Sequence, residues 1–453
     1  MSDSTPPADY AEFRRHELRR SRMVMIDGNL TANTKSVETG CSARVLHNGY
    51  WGFASSAGTD GESAARVRNK ALANANIMTR FGTRQALQLP DRTYHGEQRF
   101  TGRPHWTQRQ SNEFLSDLHA YCAREFPDLV STRFILHDEQ HIKQVENSLG
   151  SAALNRIDRA AFYLMMTAHG DDGSPIELMD VLSVKGSVAD LELSVDALTA
   201  RLQTVYEHLQ AKRHAVPARG GQQRVVIAPE LAGMLAHEAM GHPCEADLVL
   251  SGSVTANLVN QQVASPLITM VDYAHSRDGE ELMIPVYCDD EGTPAEDAVL
   301  IESGVLKQFM GSRETASRLG ISNSGSARAY APADEPLVRM RNTAILPGQS
   351  RLDDMIAEVE SGYLLLKTGN GQADSTTEFM FGISLGYEIS NGKLGAAIRD
   401  TTVSGSALKV LSDVDAVSDD MHWECNGYCG KKQPMVVSLG GPALRTQLHV
   451  GGE

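Results

Sequence analysis

Apolar residues at Leu191, Val195, Leu198, Leu202, Val205 and Leu209 recur at alternating spacings of four and three. That period puts them on one stripe of a long helix, with Asp190 placed to cap its start. The helix is expected to run out at Lys212-Arg213-His214, and Val216-Pro217-Ala218-Arg219-Gly220-Gly221 reads as a linker. A domain boundary is placed there, dividing the chain into residues 1–218 and 219–453. An alanine-rich stretch over residues 62–78 predicts a second helix. Elsewhere the pattern shortens to period two around tight-turn residues. Asn48-Gly49 lies between Arg44-Val45-Leu46-His47 and Tyr50-Trp51-Gly52-Phe53, Ser303-Gly304 between Val299-Leu300-Ile301 and Val305-Leu306, and Asn391-Gly392 between Tyr387-Glu388-Ile389 and Lys393-Leu394. Each predicts a hairpin. Strands joined by such turns are antiparallel, so the expected class is α+β. A mixed α/β N-terminal domain precedes a largely antiparallel β domain, which carries one further helix.

That further helix follows a short strand over residues 224–227 and reads Ala228-Pro229-Glu230-Leu231-Ala232-Gly233-Met234-Leu235-Ala236-His237-Glu238-Ala239-Met240-Gly241-His242. Pro229 suits the first helical position and Glu230 complements the dipole. His237 and His242 bracket Glu238 as His-Glu-x-x-x-His, one residue longer than the zincin pattern. On a regular helix, residues five apart lie about 140° apart, too far round to share an ion. Gly241 and Pro243 are expected to break the helix, Pro243 by pushing His242 out of the α region. The two imidazoles could then converge with a carboxylate beside them, as a hydrolytic metal site requires.

Composition narrows the class. The chain has 453 residues, 41% of them apolar and 22% charged, which suits a folded protein with an ample core. A net charge of -15 argues against nucleic-acid binding. The run Arg14, Arg15, Arg19, Arg20 and Arg22 reads as a solvated face or interface edge rather than an anion site. No secretory segment and no apolar stretch of membrane-spanning length is visible. Six scattered cysteines do not form a disulfide framework, so a cytoplasmic location is expected.

Three other patterns hold possible chemistry. His137 and His141, in His-Asp-Glu-Gln-His, read as surface histidines in a hairpin turn. Gly369-Asn370-Gly371 lacks the helix signal and full fingerprint of a phosphate loop. Asp289-Asp290-Glu291 reads as a strand-end turn, without the spaced oxygens of a calcium loop.

The segment His237-Glu238-Ala239-Met240-Gly241-His242, followed by Glu245 and Asp247, resembles the signature of the TldD/PmbA family of metallopeptidases, also called modulators of DNA gyrase. Asp290-Glu291-Gly292-Thr293-Pro294, Ile301-Glu302-Ser303-Gly304-Val305-Leu306, Arg339-Met340-Arg341-Asn342-Thr343, Gly369-Asn370-Gly371-Gln372-Ala373-Asp374 and Cys429-Gly430-Lys431 follow in the family's order. The N-terminal half matches more loosely, through Val145-Glu146-Asn147-Ser148-Leu149-Gly150 and the strands near residues 43–55. The chain resembles the TldD branch, because the PmbA (TldE) branch lacks the metal motif. Against the family pattern, the chain begins at the expected first strand without a leading helix. Pro243-Cys244 also stands where small or aliphatic residues are usual.

The resemblance implies a third ligand, Cys429, beside His237 and His242, with Cys425, Cys244 and Glu245 as rivals. Cys41, Cys122 and Cys288 read as buried small hydrophobes. A thiolate with two imidazoles suits Zn2+ and leaves a fourth position open. It further implies peptide hydrolysis with Glu238 as general base, acting on short or unfolded peptides. It also implies a dimer, either a homodimer or a heterodimer with a TldE/PmbA-like paralogue. Two other functions share these residues: an amidohydrolase acting on a small molecule, and a non-catalytic scaffold with a structural metal.

Overall fold

The computed structural model describes residues 8–82, 84–373 and 377–451. Among these, the N-terminal part builds a seven-stranded sheet from β1 (Tyr10–Ile26), β2 (Asn29–His47), β3 (Tyr50–Ser56), β4 (His95–Phe100), β5 (Ser131–Asn147), β6 (Ala152–His169) and β7 (Pro175–Lys185). The order runs β3-β2-β1-β5-β6, and β6 then pairs with both β4 and β7. The β2–β3 hairpin turns on Asn48 and Gly49, whose φ angles of 50° and 77° match the tight turn expected there. Three helices accompany the sheet: α1 (Gly61–Met78), α2 (Gln108–Glu125) and α3 (Val195–Arg213). The stripe Leu198, Leu202, Val205 and Leu209 is buried with Leu115 and Leu118 of α2 against Phe134, Leu136, Phe162 and Leu164 of the sheet.

The start of α3 differs from expectation. Ser194 caps it, its hydroxyl accepting from Ala197 N–H at 3.1 Å. Leu191 and Asp190 belong to a separate 3-10 turn, Val188–Leu191, where the Asp190 carboxylate accepts from Ser187 N–H at 2.7 Å. Between that turn and α3, Glu192 is left-handed, with φ 51°, so no helical period crosses the break. Leu191 and Val195 share the pattern because both pack against the same apolar cluster.

His137 and His141 are not in a turn. Both lie inside β5, which is paired along its length with β1 and β6. Asp138-Glu139-Gln140 read as a turn because three polar residues interrupt an apolar run. The strand tolerates them because each has a partner. Glu139 faces the C-terminal half and accepts from Tyr330 and Tyr428. Asp138 accepts from Val188 N–H at 2.9 Å and Gln140 donates to Asp158 at 2.7 Å, both within the N-terminal half. Contact with the C-terminal half also explains the arginine run. Arg14 is buried and donates to Ala331 and Asp334 carbonyls at 3.2 and 2.6 Å, whereas Arg19 and Arg22 are exposed.

In the C-terminal half, β8 (Gly221–Ile227) joins a seven-stranded sheet with Ser361–Ala373, Glu378–Ser390, Thr401–Ser406 and Leu444–Val450, among others. A six-stranded sheet contains Met270–Tyr273, Ala298–Glu302, Asn342–Ile345, Met435–Gly441 and, at its edge, His422–Cys429. Pairing is mainly antiparallel, with parallel exceptions at β8 with Ser361–Ala373 and at Asn342–Ile345 with Met435–Gly441. The hairpins at Ser303-Gly304 and Asn391-Gly392 are both present.

Between the two sheets lies α4 (Pro229–Leu235) with its continuation. Leu231, Leu235, Ala236, Ala239 and Met240 pack on Met270, Ile345, Val437 and Leu439 from one sheet and on Leu365, Phe381, Leu444 and Leu448 from the other. A helix sandwiched in this way is apolar on nearly every side, so its few polar residues stand out. The α+β class is as expected.

Candidate metal centre

Pro229 occupies the first turn of α4, and the helix is regular to Leu235. It then widens rather than breaks. Ala236–Gly241 form a π-helical turn, and the His242 N–H donates to the His237 carbonyl, an i→i−5 bond joining the two histidines themselves. His242 keeps φ -58° and ψ -49°, and Gly241 keeps φ -60° and ψ -55°, so neither leaves the α region as expected from Pro243. The wider turn sets residues five apart nearly above one another, which solves the geometric problem without a break. Gly241 contributes through space rather than backbone freedom: a Cβ there would fall 2.2 Å from the Met340 sulfur. Pro243 is accommodated at the start of the 3-10 turn His242–Cys244.

The imidazole rings of His237 and His242 stand 4.9 Å apart at 79°. Cys429, the last residue of the edge strand His422–Cys429, brings its sulfur to 3.3 Å from His242 Nε2. One ligand atom from each of His237, His242 and Cys429 lies within 4.8 Å of the others. His237 is 2% exposed, yet neither of its ring nitrogens has a hydrogen-bond partner. A buried imidazole without partners is costly unless something else occupies its lone pair. A metal ion fits that requirement, and two imidazoles with a thiolate suit zinc.

Electrostatics favour a cation here. Burial works against ionising the Cys429 thiol, but His237 and His242 outweigh it and hold the thiol down to about 4. Burial likewise disfavours the His242 imidazolium, but Glu245 and Cys429 carry that ring up to about 10. A proton shared between thiolate and imidazole thus stands where a divalent ion would add more charge.

Glu238 lies beside this group. Its oxygens are 4.0 Å from His237 Nε2 and 3.7 Å from His242 Nε2, and its side chain is 18% exposed. Glu245 is not among the converging atoms. It accepts from His242 Nδ1 at 2.7 Å and so orients the ring with Nε2 toward Cys429. Burial would raise its carboxyl, but Lys431 and His242 hold it down to about 2. Lys431 also reaches both Asp247 oxygens at 3.0 Å and the Val338 carbonyl at 2.6 Å. Arg339 donates to the Cys429 carbonyl at 2.7 Å and to the Lys431 and Gln433 carbonyls at 2.8 Å. These supporting roles are not legible in the sequence, although a carboxylate three residues past His242 is a usable signal.

The other rivals lie elsewhere. Cys244 is packed in the core of the C-terminal half, where burial raises its thiol to about 12. Cys425 sits in a separate apolar cluster, and its carbonyl accepts from Arg159. Cys41, Cys122 and Cys288 are buried and free.

The acidic triplet is a buried turn whose carboxylates are already matched. Asp289 accepts from Glu291 and Thr293 N–H groups at 3.0 and 2.8 Å, Asp290 from Lys143 at 2.7 Å, and Glu291 pairs with Arg44. Gly369 lies in the strand Ser361–Ala373 rather than before a helix, and Asp374 of that motif falls outside the described residues.

The model of the PmbA/TldA metallopeptidase C-terminal domain matches residues 220–452, and that of domain 1 of the same family matches residues 11–75. A protein of Methanothermobacter thermautotrophicus described as a metalloprotease is 31% identical over 100% of this chain and 97% of its own. A zinc metalloprotease TldD homolog of Saccharolobus solfataricus is 26% identical over 96% of each chain. Among solved structures, TldE from Thermococcus kodakarensis superposes with a TM-score of 0.75 at 18% identity, covering 98% of this chain and 97% of that one.

Proposed function

The chain belongs to the PmbA/TldD family of metallopeptidases, and from that membership we propose that it hydrolyses peptide bonds using zinc held by His237, His242 and Cys429, with Glu238 as general base. The observation that carries this reading is the convergence of three ligand atoms within 4.8 Å around an imidazole with no other partner. Three protein ligands leave a coordination position open, as a catalytic site needs and a structural site usually does not. This favours an enzyme over a scaffold.

The chemistry such an ion supplies when bound is polarisation of the scissile carbonyl and acidification of water. Glu238, close to both imidazoles and still reachable from solvent, takes the proton from the attacking water and returns it to the leaving amine. Glu245 keeps His242 in the tautomer that presents Nε2. Lys431 balances the Glu245 charge, and Arg339 holds the turn after Cys429.

The substrate is read as short or unfolded peptide, because the side chains of His242 and Glu238 are 17% and 18% exposed and a folded surface would not reach them. A partnership with a second copy or a TldE-like paralogue is supported by the fold shared with TldE. A cytoplasmic setting is supported by six free cysteines, and no helix among the described residues is long and apolar enough to cross a membrane. The division into residues 1–218 and 219–453 belongs to the same reading, supported by a family domain model beginning at residue 220.

The test is cleavage of a peptide library by the purified chain and by Glu238→Gln, with metal content measured by mass spectrometry. Cleavage lost by ~10²–10⁴-fold with metal retained is expected. Equal cleavage by both proteins overturns the assignment.

A further inference from the structure

Cys429 ends an edge strand whose pairing is interrupted just before the last three residues. The pairing of His422–Cys429 with Met435–Gly441 slips register between Glu424 and Gly427. Gly427 and Gly430 flank the Tyr428-Cys429 pair, and a Cβ at either glycine would meet nothing within 4 Å. A bulged, glycine-flanked edge fixes the direction of a side chain less firmly than an unbroken strand does, and this sulfur has to meet two imidazoles. Within the C-terminal half, Arg339 clamps the carbonyls that follow.

A further restraint comes from the other half of the molecule. Successive strand residues point to opposite sides, so while Cys429 faces His242, Tyr428 faces the N-terminal sheet. Its hydroxyl donates to Glu139 Oε2 at 2.9 Å and lies 3.2 Å from His137 Nε2. The same Glu139 oxygen accepts from Tyr330 at 2.6 Å, and the other oxygen meets His141 Nε2 at 3.0 Å. Tyr330 in turn donates its N–H to Gln433 at 2.8 Å, at the far end of the turn that follows Cys429. Glu139 thus grips both flanks of that turn. Burial alone would neutralise its carboxyl, but hydrogen bonds from His137 and His141 and the charge of Arg159 hold it well below the usual range. It sits mid-strand in β5, paired on both sides, so it is a rigid anionic anchor. The Tyr428 ring also meets the Arg159 guanidinium at 5.5 Å and the Tyr330 ring at 6.0 Å, contacts that a phenylalanine would keep, so removal of the hydroxyl alone isolates the bond to Glu139.

We propose that Tyr428 is a positioning residue: through its hydroxyl, Glu139 of the N-terminal sheet sets the placement of Cys429 at the metal centre. The inference rests on the reading of Cys429 as a ligand. Loss of a group bonded directly to a ligand weakens metal binding by roughly 10–100-fold, and Tyr428 acts one residue removed from Cys429, so the low end of that range is expected.

Full-length wild type, Tyr428→Phe, Glu139→Gln, the double variant and Cys429→Ser are titrated with cobalt(II) against a competing chelator, recording the thiolate-to-cobalt absorption band and the thermal midpoint of the metal-free proteins. Tyr428→Phe is expected to lose about tenfold in affinity and to alter the band while its midpoint stays near wild type. The double variant is expected to be no weaker than the worse single one, because both remove one interaction. Should Glu139→Gln fail to fold, Tyr428→Phe decides alone. Wild-type affinity and spectrum in Tyr428→Phe overturn the inference and leave the metal reading standing. A wild type that takes no cobalt, or an unchanged band in Cys429→Ser, overturns both.

Discussion

Two clusters of buried histidines lie in this chain, one on the helix between the C-terminal sheets and one on the N-terminal sheet. In the first, both nitrogens of His237 lack hydrogen-bond partners, and the second histidine faces a sulfur. In the second, His141 has both nitrogens engaged, Nδ1 by His16 at 3.0 Å and Nε2 by Glu139 at 3.0 Å. Their protonation moves in opposite directions. Burial, with Lys143 adding to it, lowers His16 well below its ordinary value; burial also lowers His141, despite Glu139. His242 is raised to about 10 because burial is outweighed by Glu245 and Cys429. The difference lies in how much negative charge bears directly on the imidazole. Arg159 and two tyrosine hydroxyls satisfy Glu139, whereas at the first cluster a thiolate and a carboxylate bear on one imidazole. Histidine number and spacing do not separate the two clusters, and each holds a buried ring nitrogen without a partner, at His237 and at His16 Nδ1; what separates them is the negative charge bearing on the imidazole.

The contrast breaks most sharply if His237→Ala retains metal. Metal content is expected to fall to background in that variant, measured on protein purified with zinc, with activity lost alongside. Retained zinc would return His237 to the status of a core histidine. Glu245→Gln should be milder, weakening metal affinity by roughly 10–100-fold in chelator competition, since His242 keeps its position but loses its charged acceptor. An unchanged affinity would show that the ring needs no orientation.

The opposite protonation of the clusters also predicts a pH slope. In the metal-free protein Cys429 is ionised above about 4 and His242 keeps its proton up to about 10. Between those limits, metal uptake has to displace one proton from His242, so affinity should rise with pH, by about tenfold per unit through the neutral range. Calorimetry in buffers of different ionisation enthalpy would count that proton, and a flat profile contradicts the account. Smallest, His141→Gln should leave zinc content untouched and cost about 2 kcal/mol in denaturant unfolding, the loss of one hydrogen bond to a charged acceptor. A loss of zinc in that variant would erase the distinction between the clusters.

Much of the candidate site is legible in the amino-acid sequence. His237, Glu238 and His242 announce themselves because hydrogen-bonding residues are rare on a helix otherwise lined with Leu, Ala and Met. Cys429 is reachable through the family pattern. The manner of convergence is not legible. A π turn has no strong residue signature, so the sequence suggests a break at Gly241 and Pro243 where the backbone widens instead. The polar triplet at residues 138–140 misleads for a related reason. Polarity along a strand reports what the strand packs against, and for Glu139 the partner is remote in the chain: Tyr428 lies 289 residues away.

The sequence by itself determined the stripe of α3, the tight turns at Asn48-Gly49 and Asn391-Gly392, and the identity of the metal-ligand candidates. The stripe and the turns depend on backbone preferences or side-chain periodicity within a few residues, His237 and His242 on their rarity in an apolar helix, and Cys429 on the family pattern. Tertiary structure alone decided which carboxylate orients His242, which cysteines are inert, and how a sulfur 187 residues beyond His242 comes within 3.3 Å of it. Those outcomes depend on burial and on charge matched across sheets, and both exist only once distant segments have packed together.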